Sequence, residues 1–127
     1  MKRVTGIGGI FFHAKDPEAL RAWYRDHLGI DVQPWGGAAF TWTGADGQPA
    51  KGTTIWSVAA DQGGYAPSTA PFMVNYRVDD LDALLAALRA EGCQVLDKTE
   101  DGEYGKFGWV LDPEGNKCEL WQPPAGH

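Results

Sequence analysis

An internal repeat at an offset of about 64 residues constrains the fold of this chain more than any other feature. In each copy, alternating apolar residues lead to an aspartate, a run with apolar residues at helical spacing, and a glycine. Asp16 aligns with Asp80, and Leu20 aligns with Leu84. A unit of this size does not easily bury both a helix face and a sheet face. We therefore expect two units to lie side by side around a cleft, either within one chain or across a dimer.

The first unit reads as a strand, a helix and three further strands. Alternation over residues 4–14 predicts a strand with Gly9, Phe11 and His13 on one face. Asp16 fits a helix N-cap, and Pro17 fits the first helical position. The apolar stripe of the helix consists of Leu20, Trp23, Tyr24 and Leu28. The three strands that follow are predicted at residues 30–35, 38–43 and 53–60.

The second unit repeats this order. A strand is predicted at residues 72–78, and a helix is capped by Asp79 or Asp80 and ended by Gly92. Further strands are predicted at residues 94–98, 104–111 and 117–122, with a solvated loop at residues 98–105. The sequence thus predicts one domain over residues 1–127, with modules at 1–62 and 70–123. The stretch 61–70, rich in Gly, Pro and Ser, is the expected linker.

The last two strands flank the turn DPEGN at residues 112–116. Glu119 follows this turn and lies between Cys118 and Leu120, so on a strand it points away from the layer that they help to build. A carboxylate directed into a mostly apolar sheet is costly unless something binds it. Glu119 is therefore either part of a site or one half of a buried hydrogen-bonded pair.

Composition excludes some functions. A net charge of -6 disfavours sequence-independent nucleic-acid binding, which requires a basic face. The N-terminus has no long apolar run, so we expect no signal peptide, no membrane span and a cytoplasmic protein. Cys93 and Cys118 lie outside any CxxC spacing, and this agrees with free thiols in a reducing compartment.

Three segments together resemble the glyoxalase, bleomycin-resistance and extradiol-dioxygenase superfamily, also called vicinal oxygen chelate: FFHAKDPEALRAWYRDHLGI (11–30), NYRVDDLDALLAALRAEG (75–92) and DPEGNKCELW (112–121). The resemblance implies an α+β fold in which two βαβββ modules form a curved, barrel-like mixed sheet around a pocket, with one helix per module outside. It also implies a homodimer. This scaffold carries lyases, isomerases, epimerases, dioxygenases and non-catalytic drug-binding proteins, so it leaves open whether this chain is an enzyme.

In metal-dependent members of the superfamily, inward side chains of the first and last strands of each module hold a divalent ion. The positions that match these ligands here are Gly9, Met73 and Glu119, and residues 53–60 contain no carboxylate or imidazole. One carboxylate does not hold such an ion, which needs roughly three or more protein ligands. The sequence therefore predicts no metal and no other cofactor.

A small-molecule ligand is the expected partner, bound by inward and aromatic side chains. The candidate ligand-binding residues are Phe11, His13, Trp56, Met73, Asn75, Arg77, Trp109, Glu119 and Trp121. His13 is either a general base, a metal ligand paired with Glu119, or a hydrogen-bonded histidine at the pocket rim. No residue is assigned a catalytic role.

The first functional hypothesis is metal-independent binding of a small molecule. The alternative is a glyoxalase-type lyase or extradiol-type dioxygenase that uses a divalent metal and an altered ligand set with Glu119 and His13. A third hypothesis is a metal-free enzyme in which one of these two residues moves a proton.

Overall fold

A computed structural model describes residues 3–61 and 64–126 of the chain. These residues form seven strands and two helices: β1 (Val4–Ala14), α1 (Pro17–Leu28), β2 (Gly37–Thr43), β3 (Pro49–Ala60), β4 (Phe72–Val78), α2 (Leu81–Ala90), β5 (Gln94–Gly102), β6 (Gly105–Leu111) and β7 (Lys117–Gln122). Neither helix is long and apolar enough to cross a membrane within the part of the chain that is described.

The seven strands form one curved, open sheet in the order β2-β3-β1-β4-β7-β6-β5. In each half the first strand pairs in parallel with the last strand, β1 with β3 and β4 with β7. The two halves meet where β1 pairs antiparallel with β4 in the same chain. The predicted mixed α+β fold of βαβββ type is therefore confirmed, although the sheet does not close into a barrel.

The prediction of a strand at residues 30–35 is wrong. This segment crosses from α1 to β2 without joining the sheet, and its hydrogen bonds are local, such as Val32 N–H to the carbonyl of Ile30 at 2.9 Å. Pro34 has no N–H to offer a neighbouring strand. Ile30 and Val32 instead pack against the core below α1, and this burial explains their apolar character.

Other predicted boundaries shift slightly. Residues 98–102 were expected in a loop but extend β5, which pairs with β6 as far as Gly102. The expected linker 61–70 is irregular wherever it is described, and residues 62 and 63 lie outside the described part. The predicted module limits at residues 1 and 62 also lie outside it, so the division into modules stays a prediction.

Both helices begin as the sequence predicts. The side chain of Asp16 accepts a hydrogen bond from Ala19 N–H at 3.1 Å. Asp80, rather than Asp79, caps α2 by accepting from Ala83 N–H at 3.1 Å. Glycines in the left-handed conformation follow both helices, Gly29 at φ 70° and Gly92 at φ 83°.

Alternation along the strands separates the two faces of the sheet. On one face, α1 packs over Trp56 and Val58, and α2 packs over Val78 and Leu120. We call the opposite face the cavity face. Phe11 of β1 lies on it, whereas Phe12 packs towards α1, so the predicted assignment of β1 faces is confirmed for these residues.

Candidate functional site

The cavity face carries a cavity of about 590 Å³. Strands from both halves of the chain form its floor, and the turn between β5 and β6 lies at its edge. Its lining residues are Gly8, Phe11, Lys51, Gly52, Thr53, Ile55, Asn75, Arg77, Glu103, Tyr104, Phe107, Glu119, Trp121 and Pro124. The lining thus combines aromatic and aliphatic walls with two acidic residues, two basic residues and one amide.

Five of the nine predicted site residues line this cavity together: Phe11, Asn75, Arg77, Glu119 and Trp121. The pairing of β4 with β7 brings four of them together, because Asn75 lies opposite Glu119 and Arg77 lies opposite Trp121. The polar centre of the cavity therefore lies across β4 and β7, which are neighbouring parallel strands.

Glu119 is held by two hydrogen bonds at the cavity floor. Asn75 Nδ2 donates to Oε1 at 2.7 Å, and Trp109 Nε1 donates to Oε2 at 3.0 Å. Burial raises the pKa of Glu119, and the two hydrogen bonds oppose that rise because they favour the ionised form. The result is a fixed, largely desolvated carboxylate whose oxygens retain further acceptor capacity.

Asn75 owes its position to a glycine on the neighbouring strand. Its side chain lies where a Cβ at Gly8 would be, so any larger residue at position 8 would collide with Asn75 Oδ1. Asn75 is only 3% exposed. Its Oδ1 has no hydrogen-bond partner among the described residues, while Nδ2 is committed to Glu119. An unsatisfied buried acceptor costs free energy, so this orientation of Asn75 is maintained at some expense.

The residues present do not fit the divalent ion of metal-dependent relatives. Within residues 3–61 and 64–126, no three His, Cys, Asp or Glu side chains are grouped so as to hold one. A side chain at Gly9, the expected first-strand ligand position, would meet the Phe11 ring at 2.7 Å and the Ile55 carbonyl at 2.9 Å. The space that a ligand on β1 would need is therefore filled by this chain's own atoms.

His13 lies in a separate polar cluster beside the cavity. Its Nδ1 is 3.6 Å from Asp61 Oδ1, and its ring centroid is 3.9 Å from that of Tyr65. Burial, followed by the negative charge of Glu119, raises the pKa of Tyr65 to about 12. Tyr65 therefore stays neutral at physiological pH. His13 itself is not among the residues that line the cavity.

The other three predicted residues also lie outside the cavity lining. Trp56 is on the helix-covered face, where its ring centroid is 5.0 Å from that of Tyr24. Met73 is buried, at 7% exposure. Trp109 is buried too, and it reaches the site through its N–H group on Glu119.

Sequence reasoning did not single out Ile55, Thr53, Phe107 or Lys51 as lining residues. A signal for Ile55 was available, because the offset of 64 aligns Ile55 with Glu119 and Trp56 with Leu120. Extending the repeat to the last strands would have placed Ile55 on the cavity face and Trp56 in the core. Nothing comparable marks Lys51, whose counterpart at this offset is Gly115 on the turn before β7.

The fold is similar to that of several solved structures. It matches a variant of methylmalonyl-CoA epimerase from Streptomyces coelicolor, in complex with 2-nitronate-propionyl-CoA, with a TM-score of 0.65 and 21% identity, covering 96% of each chain. Methylmalonyl-CoA epimerase from Mycobacterium tuberculosis matches with a TM-score of 0.62 and 19% identity, covering 97% of this chain and 91% of the other.

A glyoxalase/bleomycin resistance protein/dioxygenase superfamily member from Vibrio splendidus 12B01 matches with a TM-score of 0.56 and 16% identity, covering 91% of this chain and 96% of the other. At these identities the likeness shows the fold alone. A search of curated proteins found no match. The model of the glyoxalase-like domain matches residues 9–121, and the chain therefore belongs to this family.

Proposed function

We propose that this protein binds a small, partly aromatic molecule in the cavity and that it does so without a divalent metal. One observation carries the proposal: Glu119, fixed through both of its oxygens, is the carboxylate on the floor of an otherwise largely apolar cavity. The lining sets the shape of the ligand, and this carboxylate sets its orientation.

The size and walls of the cavity suit a small organic molecule. Pockets for such ligands measure roughly 300–1,000 Å³ and combine apolar walls with a few placed polar groups, and the volume here is about 590 Å³. Phe11, Tyr104, Phe107 and Trp121 supply aromatic surface. The rings of Phe107 and Trp121 stack at 6.4 Å between centroids, so part of the wall is already ordered.

Glu119 favours a ligand that donates hydrogen bonds, above all an ammonium group. A buried carboxylate gains more from a cationic donor than an exposed one does, because water screens the pair less. Asn75 and Trp109 hold the carboxylate in place before the ligand arrives. Little side-chain freedom would then be lost on binding, and this pre-organisation favours affinity.

The metal-dependent alternative, with an ion held by Glu119 and His13, has less support. His13 contacts Asp61 and Tyr65 rather than the cavity. The described residues offer no third ligand to complete such a set. The geometry therefore favours direct binding by Glu119 over binding through an ion.

The test measures ligand binding by heteronuclear NMR titration, with protein that has first been treated with a chelator. The probes are aromatic amines, with 1-naphthylmethylamine as the reference compound. We expect saturable binding that weakens roughly tenfold in Glu119→Gln, which keeps the shape but removes the charge. The matched control is Glu114→Gln on the exposed turn before β7, and its affinity should equal that of the wild type.

Two results would overturn the proposal. One is the absence of binding by any aromatic amine at millimolar concentration. The other is binding that depends on added Zn²⁺, Mn²⁺ or Fe²⁺, together with stoichiometric metal in the protein as purified, because that result would support the metal-dependent alternative.

A further inference from the structure

We infer that the cavity contains a second polar subsite, formed by Arg77 and Lys51, which binds an anionic group of the ligand. This inference rests on the proposed binding function and extends it from an aromatic amine to a ligand that also carries a carboxylate or a phosphate. Both side chains line the cavity. Arg77 belongs to β4 and Lys51 to β3, the two strands that flank β1.

The indole ring of Trp42 positions Arg77. The Arg77 guanidinium carbon lies 5.6 Å from the centroid of this ring, within the range of a cation–π contact. A guanidinium carries five N–H donors in a planar fork, and this fork matches the two oxygens of a carboxylate or two oxygens of a phosphate.

Trp42 is itself fixed in place from several sides. Its Nε1 donates to Thr54 Oγ1 at 2.8 Å, and Thr54 Oγ1 donates to the carbonyl of Ile7 at 2.6 Å. Its ring fills the space above Gly6 and Gly52, where a Cβ would collide with it. Glycine at positions 6 and 52 thus leaves the space that the Trp42 ring occupies.

Trp42 also relates the two basic residues to each other. Gly52 directly follows Lys51, and Gly6 pairs with Arg77 across β1 and β4. Trp42 therefore contacts the strand segments on either side of β1 that carry Lys51 and Arg77. In a chain with a net charge of -6, two basic residues that converge on one cavity are a local exception.

The other polar lining groups define the rest of the ligand. Glu119 is beside Asn75, two residues from Arg77 along β4, so the anionic and cationic subsites are separated by about 7 Å of strand. Glu103, on the turn between β5 and β6, is the second carboxylate among the lining residues. One group of each charge joined by an aromatic body matches this lining.

The test is an NMR titration with compounds that share one ring system. The probes are 1-naphthylmethylamine, 1-naphthylacetate and 1-naphthyl phosphate, and the last two distinguish a carboxylate from a phosphate. Arg77→Gln should weaken binding of the better anion roughly tenfold, while the affinity for the amine should rise slightly because a cation near Glu119 is removed. Glu119→Gln should do the reverse. Arg77→Lys should restore part of the lost affinity.

Two further variants separate this subsite from a general structural effect. Lys51 is exposed, so Lys51→Gln should fold normally and weaken anion binding by about threefold, a rim contribution. Trp42→Leu removes the stacking partner, and it should weaken anion binding while affinity for the amine stays the same. Circular dichroism of each variant confirms folding before titration.

The outcomes distinguish this inference from the proposed function. If the amine binds through Glu119 but neither anion binds, or if anion affinity is the same in Arg77→Gln, the subsite is overturned and the proposed function stands. If an anion binds through Arg77 and the amine does not bind, the subsite is supported and the role of Glu119 is overturned. Binding by none of the three probes overturns both.

Discussion

The helices α1 and α2 occupy corresponding places in the two halves, yet they are buried very differently. Of the ten residues of α2, Leu81, Leu84 and Leu85 are buried. None of the twelve residues of α1 is buried to that degree. Trp23 and Leu28, which belong to the apolar stripe of α1, are 49% and 61% exposed.

Two physical causes account for this difference. The apolar stripe of α1 contains the large aromatics Trp23 and Tyr24. Tyr24 packs against Trp56 of the sheet, whereas the ring of Trp23 contacts Tyr24 and is half exposed. The first half also lacks one strand, because residues 30–36 form an irregular crossing. The pairing of β2 with β3 ends at Ser57. The carbonyl of the next residue, Val58, accepts a hydrogen bond from Arg21 of α1.

A shared order of elements therefore does not imply shared energetics. The repeat specifies where helices and strands begin, whereas the volume and branching of individual side chains specify how closely they pack. We expect the C-terminal half to contribute more of the free energy of unfolding than the N-terminal half.

The largest expected effect comes from truncating the aligned leucines Leu84 and Leu20. Leu84 is buried, so Leu84→Ala should lower the free energy of unfolding by about 2–5 kcal/mol. Leu20 is only partly buried, so Leu20→Ala should cost about 1 kcal/mol. Urea denaturation followed by tryptophan fluorescence and by circular dichroism measures both changes.

Equal losses for the two variants would break the comparison between the halves. Such a result would mean that α1 is covered in solution by something other than its own sheet. Measuring at two protein concentrations distinguishes self-association, because a dimer becomes more stable as concentration rises.

The next effect concerns the line where the halves meet. Gly8→Ala would push a methyl group into Asn75, and it should destabilise the protein by about 1–3 kcal/mol, as overpacking does. It should also weaken binding of an aromatic amine, because Asn75 orients Glu119. The measurement is urea denaturation of Gly8→Ala, Asn75→Ala and the double variant.

The decisive quantity in this double-mutant cycle is the coupling free energy between Gly8→Ala and Asn75→Ala. The penalty for Gly8→Ala should be smaller when Asn75 is already alanine, because the amide that obstructs the methyl group is gone. Additive penalties would contradict the contact between these two residues.

Removal of the N-cap aspartate of either helix should have a smaller effect on stability, and this effect should be the same in both halves. Asp16 and Asp80 accept from backbone N–H groups at the same distance, 3.1 Å, so Asp16→Ala and Asp80→Ala should each cost about 1 kcal/mol. Thermal denaturation of the two single variants provides the measurement. A loss at Asp80 that greatly exceeds the loss at Asp16 would show that capping also depends on how well the helix is packed.

These contrasts also explain which features could be predicted from the sequence. The capped helices and the first and last strands depend on local chemistry, so Asp16, Pro17 and the alternation around Phe11 sufficed to locate them. The segment 30–35 was misread because buried irregular chain and buried strand have the same apolar composition. Only the tertiary packing of Ile30 and Val32 separates the two cases.

The candidate site was predictable where alternation and the repeat apply, as at Asn75, Arg77 and Glu119. The contribution of Trp42 was not, because it depends on empty space above Gly6 and Gly52 on two other strands. Such a close approach leaves no periodic signal in the sequence. Trp109 was predicted to bind the ligand, but it lies outside the cavity lining and instead donates to Glu119 from the neighbouring strand.

The smallest expected effect uses the position that differs most between the halves, Glu119, whose counterpart in the repeat is Ile55. Burial raises the pKa of Glu119, so the folded state holds its proton more tightly than the unfolded state does. The folded protein then binds more protons in the range between the ordinary pKa of 4.5 and the higher folded value. Across this range, stability falls as pH rises, by about 1.4 kcal/mol for each unit of elevation.

The free energy of unfolding of the wild type minus that of Glu119→Gln isolates this contribution, because other groups titrate alike in both proteins. We expect the difference to decrease as pH rises above 4.5 and to level off once Glu119 is ionised in the folded state. An ammonium ligand favours the ionised carboxylate, so the affinity of 1-naphthylmethylamine should rise over the same pH range. If the stability difference rises with pH instead, Asn75 and Trp109 stabilise the carboxylate by more than burial costs it, and the C-terminal half holds a charge that its fold favours.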